Sequence, residues 1–310
     1  MALDLALVGT SGTMPLPGRW LASALIRWDG HLILFDCGEG TQISLRALGW
    51  GIVAIDLILI SHLHGDHVGG LAGLLQSLGH SGRATPVDVV GPPGLAETVR
   101  QLCVVAQYLP FNVRCHELPG SASFAFGQLR CSAQPAQHSV PCLAYRVDLP
   151  RQPRFQPERA RGLNVPVQQW SALQRGETVT VAGRTVTPQQ VLGPSRPGLA
   201  VGLVTDTRPT PALAAFLRGV DLLLCEGMYG DSAQQPRAEQ RGHMTFAEAA
   251  GLARDAGARQ LLLSHFSPSL ADPDAYLAQA TADFLATVVG HDHLQISLTF
   301  PPDPPDVAAP

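Results

Sequence analysis

Apolar residues along this chain gather in short runs that alternate with longer stretches of helical spacing. The runs LDLALVG, SALIRW, HLILFDCG, DLILISH, PVDVVG, LAYRVDL, LAVGLVTD, DLLLCEG, RQLLLSH and LQISLTF predict strands, many of them apolar enough to be buried on both faces. Helical spacing predicts helices over 39–49, 68–79, 94–108, 211–219, 245–257 and 273–288. Thr245 followed by Glu248 forms a capping box, and Asp272 precedes Pro273 at a first helical position. Strands and helices in this alternation predict an α/β architecture with helices packed outside the sheets.

Two segments break the rhythm. From 151 to 184 the chain turns polar and irregular, with six arginines against Glu158 and Glu177, a net of +4 where the whole chain is −4. The remainder therefore sums to −8. Charge alone leaves two readings for 151–184, a solvated surface insertion or a basic arm for an acidic partner such as RNA. The closing PPDPPDVAAP, residues 301–310, reads as a disordered Pro-rich tail after a single domain over 1–300.

Composition narrows the class. The 310 residues are 45% hydrophobic and 15% charged, which supports a large core and excludes wholesale disorder. No apolar stretch is long enough to cross a membrane. The first residues, MALDLALVGT, lack a basic region and read as a strand, not a signal peptide. All 21 basic residues are arginine. Six cysteines are scattered without a CxxC pair, several inside apolar runs, so they read as buried reduced thiols of a cytoplasmic protein.

The chemistry begins at SHLHGDH, directly after the apolar strand DLILI. His62 and His64, two apart on an extended backbone, project to one side and can share a metal ion. Gly65 lets the chain turn, so Asp66 and His67 aim at a second position. Such a cluster buried without metal would strand its polar groups. His31, His80, His116, His291 and His293 have no comparable context and read as surface or core residues.

The HxHxDH pattern at His62–His67 resembles the hallmark of the metallo-β-lactamase superfamily. Three further residues end apolar runs where that family places its later ligands: His138 in AQHSVPCLAYR, Asp206 closing LAVGLVTD, and His265 closing RQLLLSH. The resemblance implies an αββα four-layer sandwich. LVGTSGTMP, LFDCGEGTQ, RGETVTVAGRTVTPQQVLGPSRPG, VTDTRP, CEGMYG and HMTFAEAA narrow it, because together they resemble the ribonuclease Z family over residues 3–300. In that family the long segment between His138 and Asp206 is a flexible arm that clamps tRNA. Two departures stand out. The arm has NVPVQQW where the family carries a Gly-Pro motif, and Cys225-Glu226-Gly227-Met228 replaces His-Glu-Ala-Thr while retaining the glutamate.

The resemblance implies a zinc-dependent endoribonuclease that removes 3′ trailers from tRNA precursors, leaving a 3′-hydroxyl on the tRNA and a 5′-phosphate on the trailer. It implies two Zn2+ per subunit. His62, His64 and His138 would hold one, Asp66, His67 and His265 the other, with Asp206 bridging. Asp66 would also orient or deprotonate the attacking water. His243, paired with Glu226, would protonate the departing oxygen, beside a helix N-terminus that favours phosphate. Asp36 would support a ligand histidine, and Ser11 would lie in a turn beside the site. The family further implies a homodimer in which one subunit's arm serves its partner's site. Two alternatives remain at this stage: a small-molecule, cyclic-nucleotide-type phosphodiesterase of the same fold, and a catalytically silent RNA-binding module.

Overall fold

The protein is described from a computed structural model over residues 2–302. The tail assigned to 301–310 therefore lies, from 303 onward, outside the described residues. The strands in chain order begin with β1 (Ala2–Gly9), β2 (Ser23–Trp28), β3 (His31–Phe35), β4 (Ile55–Leu59), β5 (Val87–Gly91) and β6 (Val113–Glu117). They continue with β7 (Ala122–Phe126), β8 (Leu129–Ala136), β9 (Cys142–Arg151), β10 (Val179–Val181) and β11 (Arg184–Val186). The last are β12 (Arg196–Leu203), β13 (Leu222–Glu226), β14 (Leu261–Ser264), β15 (Thr287–Val289) and β16 (Gln295–Thr299). The helices are α1 (Thr41–Leu48), α2 (Gly65–Val68), α3 (Leu71–His80), α4 (Leu95–Leu102), α5 (Pro157–Gly162) and α6 (Trp170–Gln174). After them come α7 (Pro188–Val191), α8 (Pro211–Phe216), α9 (Gln235–Arg241), α10 (Phe246–Ala256) and α11 (Leu277–Thr281).

Two seven-stranded sheets carry the fold, in the orders β16-β1-β2-β3-β4-β5-β6 and β15-β14-β13-β12-β9-β8-β7. Each is antiparallel at one end and parallel at the other. In the first sheet β3 to β6 run parallel, and in the second β12 to β15 do. The parallel strands are apolar on both faces, as β13 and β14 show by being buried at every position. One core packs α1, α3 and α4 against the first sheet through Leu45, Leu74, Leu75 and Val99. The other packs α8, α10 and α11 against the second through Leu213, Phe246, Ala250 and Ala280. This is the four-layer αββα sandwich that the family resemblance implies.

The differences from the sequence reading have physical reasons. The helix expected over 68–79 starts only at Leu71 as α3, set off from the short α2 by Gly69–Gly70. A Cβ on Gly70 would stand 2.0 Å from the Gly38 carbonyl oxygen, so the break brings two backbones together where only glycine fits. The helix expected over 94–108 ends at Leu102 and gives way to a single 3-10 turn at the β-branched Val104 and Val105. The helix expected over 273–288 runs only from Leu277 to Thr281, preceded by a 3-10 turn, and Thr287–Val289 is β15. The β-branched TVV run prefers the extended state, and β14 offers it a parallel partner. Strands β6, β7 and β8 escaped detection because exposed or half-exposed positions interrupt any apolar run, most of all in the edge strands β6 and β7.

Residues 149–198 form a second compact unit with a small core of its own. Ala160, Val165, Leu173, Val186 and Val191 are buried there, with Phe155, Trp170, Val179 and Val181 packed around them. The β10–β11 hairpin pairs Val179 with Val186. Trp170 donates its indole N–H to the Val165 carbonyl at 3.0 Å, and Arg161 lies over the Trp170 ring at 5.6 Å. The segment that reads as irregular is thus organised by few apolar residues spaced too widely to show a period.

Candidate metal centre and its acid–base pair

The strand ends converge here. Asp36 follows β3, the His62–His67 run follows β4, Asp206 follows β12, Glu226 closes β13 and His265 follows β14. All five positions stand at the carboxyl ends of parallel strands, where open α/β sheets present their chemistry. His138 comes from the turn between β8 and β9, and His243 from the short link between α9 and α10. Asp36 and His265 hold left-handed backbones, each at φ 56°, a strained conformation for residues with side chains.

Two groups of donor atoms face each other across Asp206. On one side His62 Nε2 lies 2.9 Å from His64 Nδ1, and His138 Nε2 lies 3.4 Å from the same atom. Asp206 Oδ2 completes this group at 3.6 Å from His62 and 3.7 Å from His138. On the other side Asp206 Oδ1 stands 3.5 Å from His67 Nε2 and 3.1 Å from His265 Nε2. Asp66 Oδ2 joins that side at 3.4 Å and 3.7 Å from the same two nitrogens. Asp206 therefore turns one carboxylate oxygen to each group.

The donors fit a metal by two tests. A tetrahedral ion held at ~2.0–2.1 Å spaces its ligands by about 3.4 Å, which is close to the separations found on both sides. His67 Nε2 and His265 Nε2 are buried and make no hydrogen bond, a costly state for polar atoms that a cation would relieve.

The shell behind these donors fixes their orientation. Asp36 accepts from the Ser61 N–H and hydroxyl, at 2.7 Å each, and faces His67 Nδ1 at 2.8 Å, which leaves Nε2 for the cluster. The Ser61 hydroxyl lies 3.0 Å from His62 Nδ1, and the Gly242 carbonyl accepts from His138 Nδ1 at 3.1 Å. The Thr13 N–H donates to Asp66 Oδ2 at 2.8 Å. Ser11 is buried in the adjoining turn, where a Cβ on Gly12 would meet the His265 ring at 2.8 Å. Thr13, Ser61 and Gly242 escape sequence reading because two act through backbone groups and the third through a bond to Asp36, across 25 residues.

The electrostatics divide the donors. Burial is the largest influence on His62 and His138 and lowers both, holding them in the neutral form that binds cations. Burial would raise Asp206 and Asp66, but the surrounding imidazoles outweigh it and keep both carboxylates well below their usual range. His67 goes the other way. Burial would lower it, yet Asp206 and Asp36 raise it well above an ordinary histidine.

His243 and Glu226 meet beside the cluster. Glu226 is wholly buried, accepts the Thr207 N–H at 2.7 Å, and faces His243 Nδ1 at 3.1 Å. Burial opposes a charge on His243, but the Glu226 carboxylate outweighs it and raises the imidazole to about 9. The capping box at Thr245 and Glu248 forms as the sequence indicates. The remaining histidines stand apart from the cluster. His31, His116 and His291 pair with Asp56, Asp88 and Asp274, His293 meets Ser44, and His80 is exposed.

Fold and cluster together define a metal-dependent hydrolase of the beta-lactamase superfamily, and the profile of that superfamily's domain matches residues 31–155 and 152–266. The chain is 43% identical over 299 residues to a ribonuclease Z of Lachnoclostridium phytofermentans, spanning 96% of this chain and 98% of the relative. A ribonuclease Z of Clostridium kluyveri is 41% identical over 300 residues, spanning 96% and 99%. This chain belongs to the ribonuclease Z family. Human tRNase Z, short form, shares the fold with a TM-score of 0.70 at 24% identity, over 96% of this chain and 100% of that one.

Proposed function

We infer that the protein is an endoribonuclease that removes 3′ trailers from tRNA precursors, leaving a 3′-hydroxyl on the tRNA and a 5′-phosphate on the trailer. The observation that carries this reading is near-full-length likeness to ribonuclease Z proteins in a chain that keeps the whole His/Asp cluster. A small-molecule phosphodiesterase of the same fold is not favoured, because the relatives that match at 43% and 41% identity over nearly the whole chain are ribonuclease Z proteins.

In this reading His62, His64 and His138 would hold one Zn2+ and Asp66, His67 and His265 a second, with Asp206 offering one carboxylate oxygen to each group. Zn2+ bound there would supply a water acidified toward a pKa of ~7 and positive charge for the scissile phosphate. Asp66, steadied by the Thr13 N–H, orients the attacking water or takes its proton. His243 uses Nδ1 to face Glu226 and carries on Nε2 the proton that the departing 3′-oxygen requires. The facing Glu226 carboxylate favours the protonated imidazole.

The unit at 149–198 acts as the tRNA-binding arm, and its support is the net +4 of residues 151–184. The protein works in the cytoplasm as a homodimer. Six free cysteines favour a reducing compartment, and among the described residues no helix is long and apolar enough to cross a membrane. The test is incubation of the zinc-loaded protein with a trailer-bearing precursor tRNA and mapping of both new ends. A single cut with a 3′-hydroxyl on the tRNA is expected. Turnover of cyclic nucleotides or bis(p-nitrophenyl) phosphate with no cut in precursor tRNA would sink the reading.

A further inference from the structure

The residues that follow β12 each hold a different part of the centre. The Thr205 hydroxyl donates to Asp206 Oδ1 at 2.7 Å, and the Thr207 N–H donates to Glu226. The Gln137 N–H donates to the Thr207 hydroxyl at 2.9 Å, and the Arg208 N–H donates back to the Gln137 carbonyl at 3.0 Å, which ties down the segment that carries His138. The Arg208 side chain goes further. Its guanidinium donates to the main-chain carbonyl of His243 and grips both oxygens of Glu248, with Nη1 3.1 Å from Oε2. Only 14% of the Arg208 side chain is exposed, and 15% of that of Glu248.

Helix capping does not account for this arginine. Glu248 accepts the Thr245 N–H at 2.9 Å and the Thr245 hydroxyl accepts the Glu248 N–H at 3.3 Å, so the capping box closes without a third member. The His243 carbonyl is what Arg208 adds. The link that bears His243 is short, running from α9 at Arg241 to the Thr245 cap. Its neighbour Gly242 already uses its carbonyl on His138. Gly242 thus orients His138, while Arg208 takes the next carbonyl along, that of His243. A planar fork that spans a carboxylate while reaching a carbonyl is something arginine offers and lysine does not.

We propose that Arg208 is a positioning residue, which fixes the main chain at His243 so that the imidazole stays aimed at Glu226 and at the reacting phosphate. The proposal rests on the reading of His243 as the proton donor. Displacing a catalytic group by about an ångström costs about a hundredfold, so loss of Arg208 acts on kcat and leaves substrate affinity alone. Because Arg208 works through His243, it has nothing left to do once that imidazole is gone.

The experiment is a double-mutant cycle on the full chain. Arg208→Ala and Arg208→Lys are made alone and with His243→Ala, and metal content and melting temperature are recorded beside kcat and KM. Arg208→Ala is expected to lower kcat on precursor tRNA about a hundredfold with KM little changed, and to cost nothing further in the His243→Ala background. Arg208→Lys is expected to recover part of the loss. In metal-free protein the downfield Nδ1 proton signal of His243, identified by its absence from His243→Ala, is expected to shift or broaden in Arg208→Ala. If Arg208→Ala does not fold, Glu248→Gln keeps the cap while loosening the arginine and is expected to give a smaller loss that likewise vanishes without His243. Equal losses with and without His243, or an unmoved proton signal, overturn the proposal. If His243→Ala itself slows tRNA and p-nitrophenyl esters alike, the proton-donor reading fails, and the proton signal still decides whether Arg208 positions the ring.

Discussion

The metal centre and the 149–198 unit, the proposed tRNA-binding arm, are built from opposite materials. At the centre most donors are buried, several are turned by a partner behind them, and Asp206 serves both sides at once. The 149–198 unit rests on five fully buried side chains and carries exposed ion pairs such as Arg175–Glu177 at its surface. Exposed pairs of that kind contribute little to stability. The contrast teaches that hydrolysis demands atoms held to fractions of an ångström, whereas binding a polyanion demands charge on a scaffold that only has to persist.

The largest test of that contrast is His64→Ala. His64 sits on a loop beyond β4, so its loss is expected to empty the centre and reduce hydrolysis of every substrate to background. The core packing it leaves untouched should keep the melting temperature of the metal-free protein. Metal analysis that still finds two equivalents per chain would break the assignment.

His243→Ala separates acid–base work from ligation. Metal content is expected to stay, while turnover of precursor tRNA falls by roughly two to four orders of magnitude, the usual contribution of a general acid. Bis(p-nitrophenyl) phosphate, whose leaving group needs no proton, should lose far less. The pH profile sharpens the point. A group raised to about 9 stays protonated through neutrality, so wild-type kcat on RNA should fall only as pH climbs through that value. Glu226→Gln removes the charge that raises His243 and should move this alkaline limb to lower pH. A limb that stays put would show that the proton resides elsewhere.

The smallest effect on chemistry belongs to the arm. Replacing 151–184 with a short Gly/Ser loop should spare metal content and bis(p-nitrophenyl) phosphate hydrolysis, because surface loops shorten at little thermodynamic cost. It should raise KM for precursor tRNA by about tenfold or more and flatten the salt dependence, since arginine–phosphate contacts supply both. Undiminished tRNA cleavage would make the arm a bystander. Loss of both activities would show that the segment belongs to the catalytic fold.

The sequence by itself determined the strands that are apolar on both faces, since burial on two sides leaves an uninterrupted run such as LLLCE or LLLS. It determined SHLHGDH too, because those donors come from one stretch of chain whose spacing is its geometry. His138, Asp206, Glu226, His243 and His265 were legible only as ends of runs or by resemblance, and the tertiary structure alone brings them within reach of one another. It also decided what no local pattern encodes. Edge strands β6 and β7 exist because a neighbour offers unpaired backbone, Thr287–Val289 extends because β14 lies beside it, and the arm closes on apolar residues far apart in sequence. Arg208 is the clearest case. Its neighbours in the chain say nothing of the His243 carbonyl 35 residues on, and only the folded backbone makes that atom its partner.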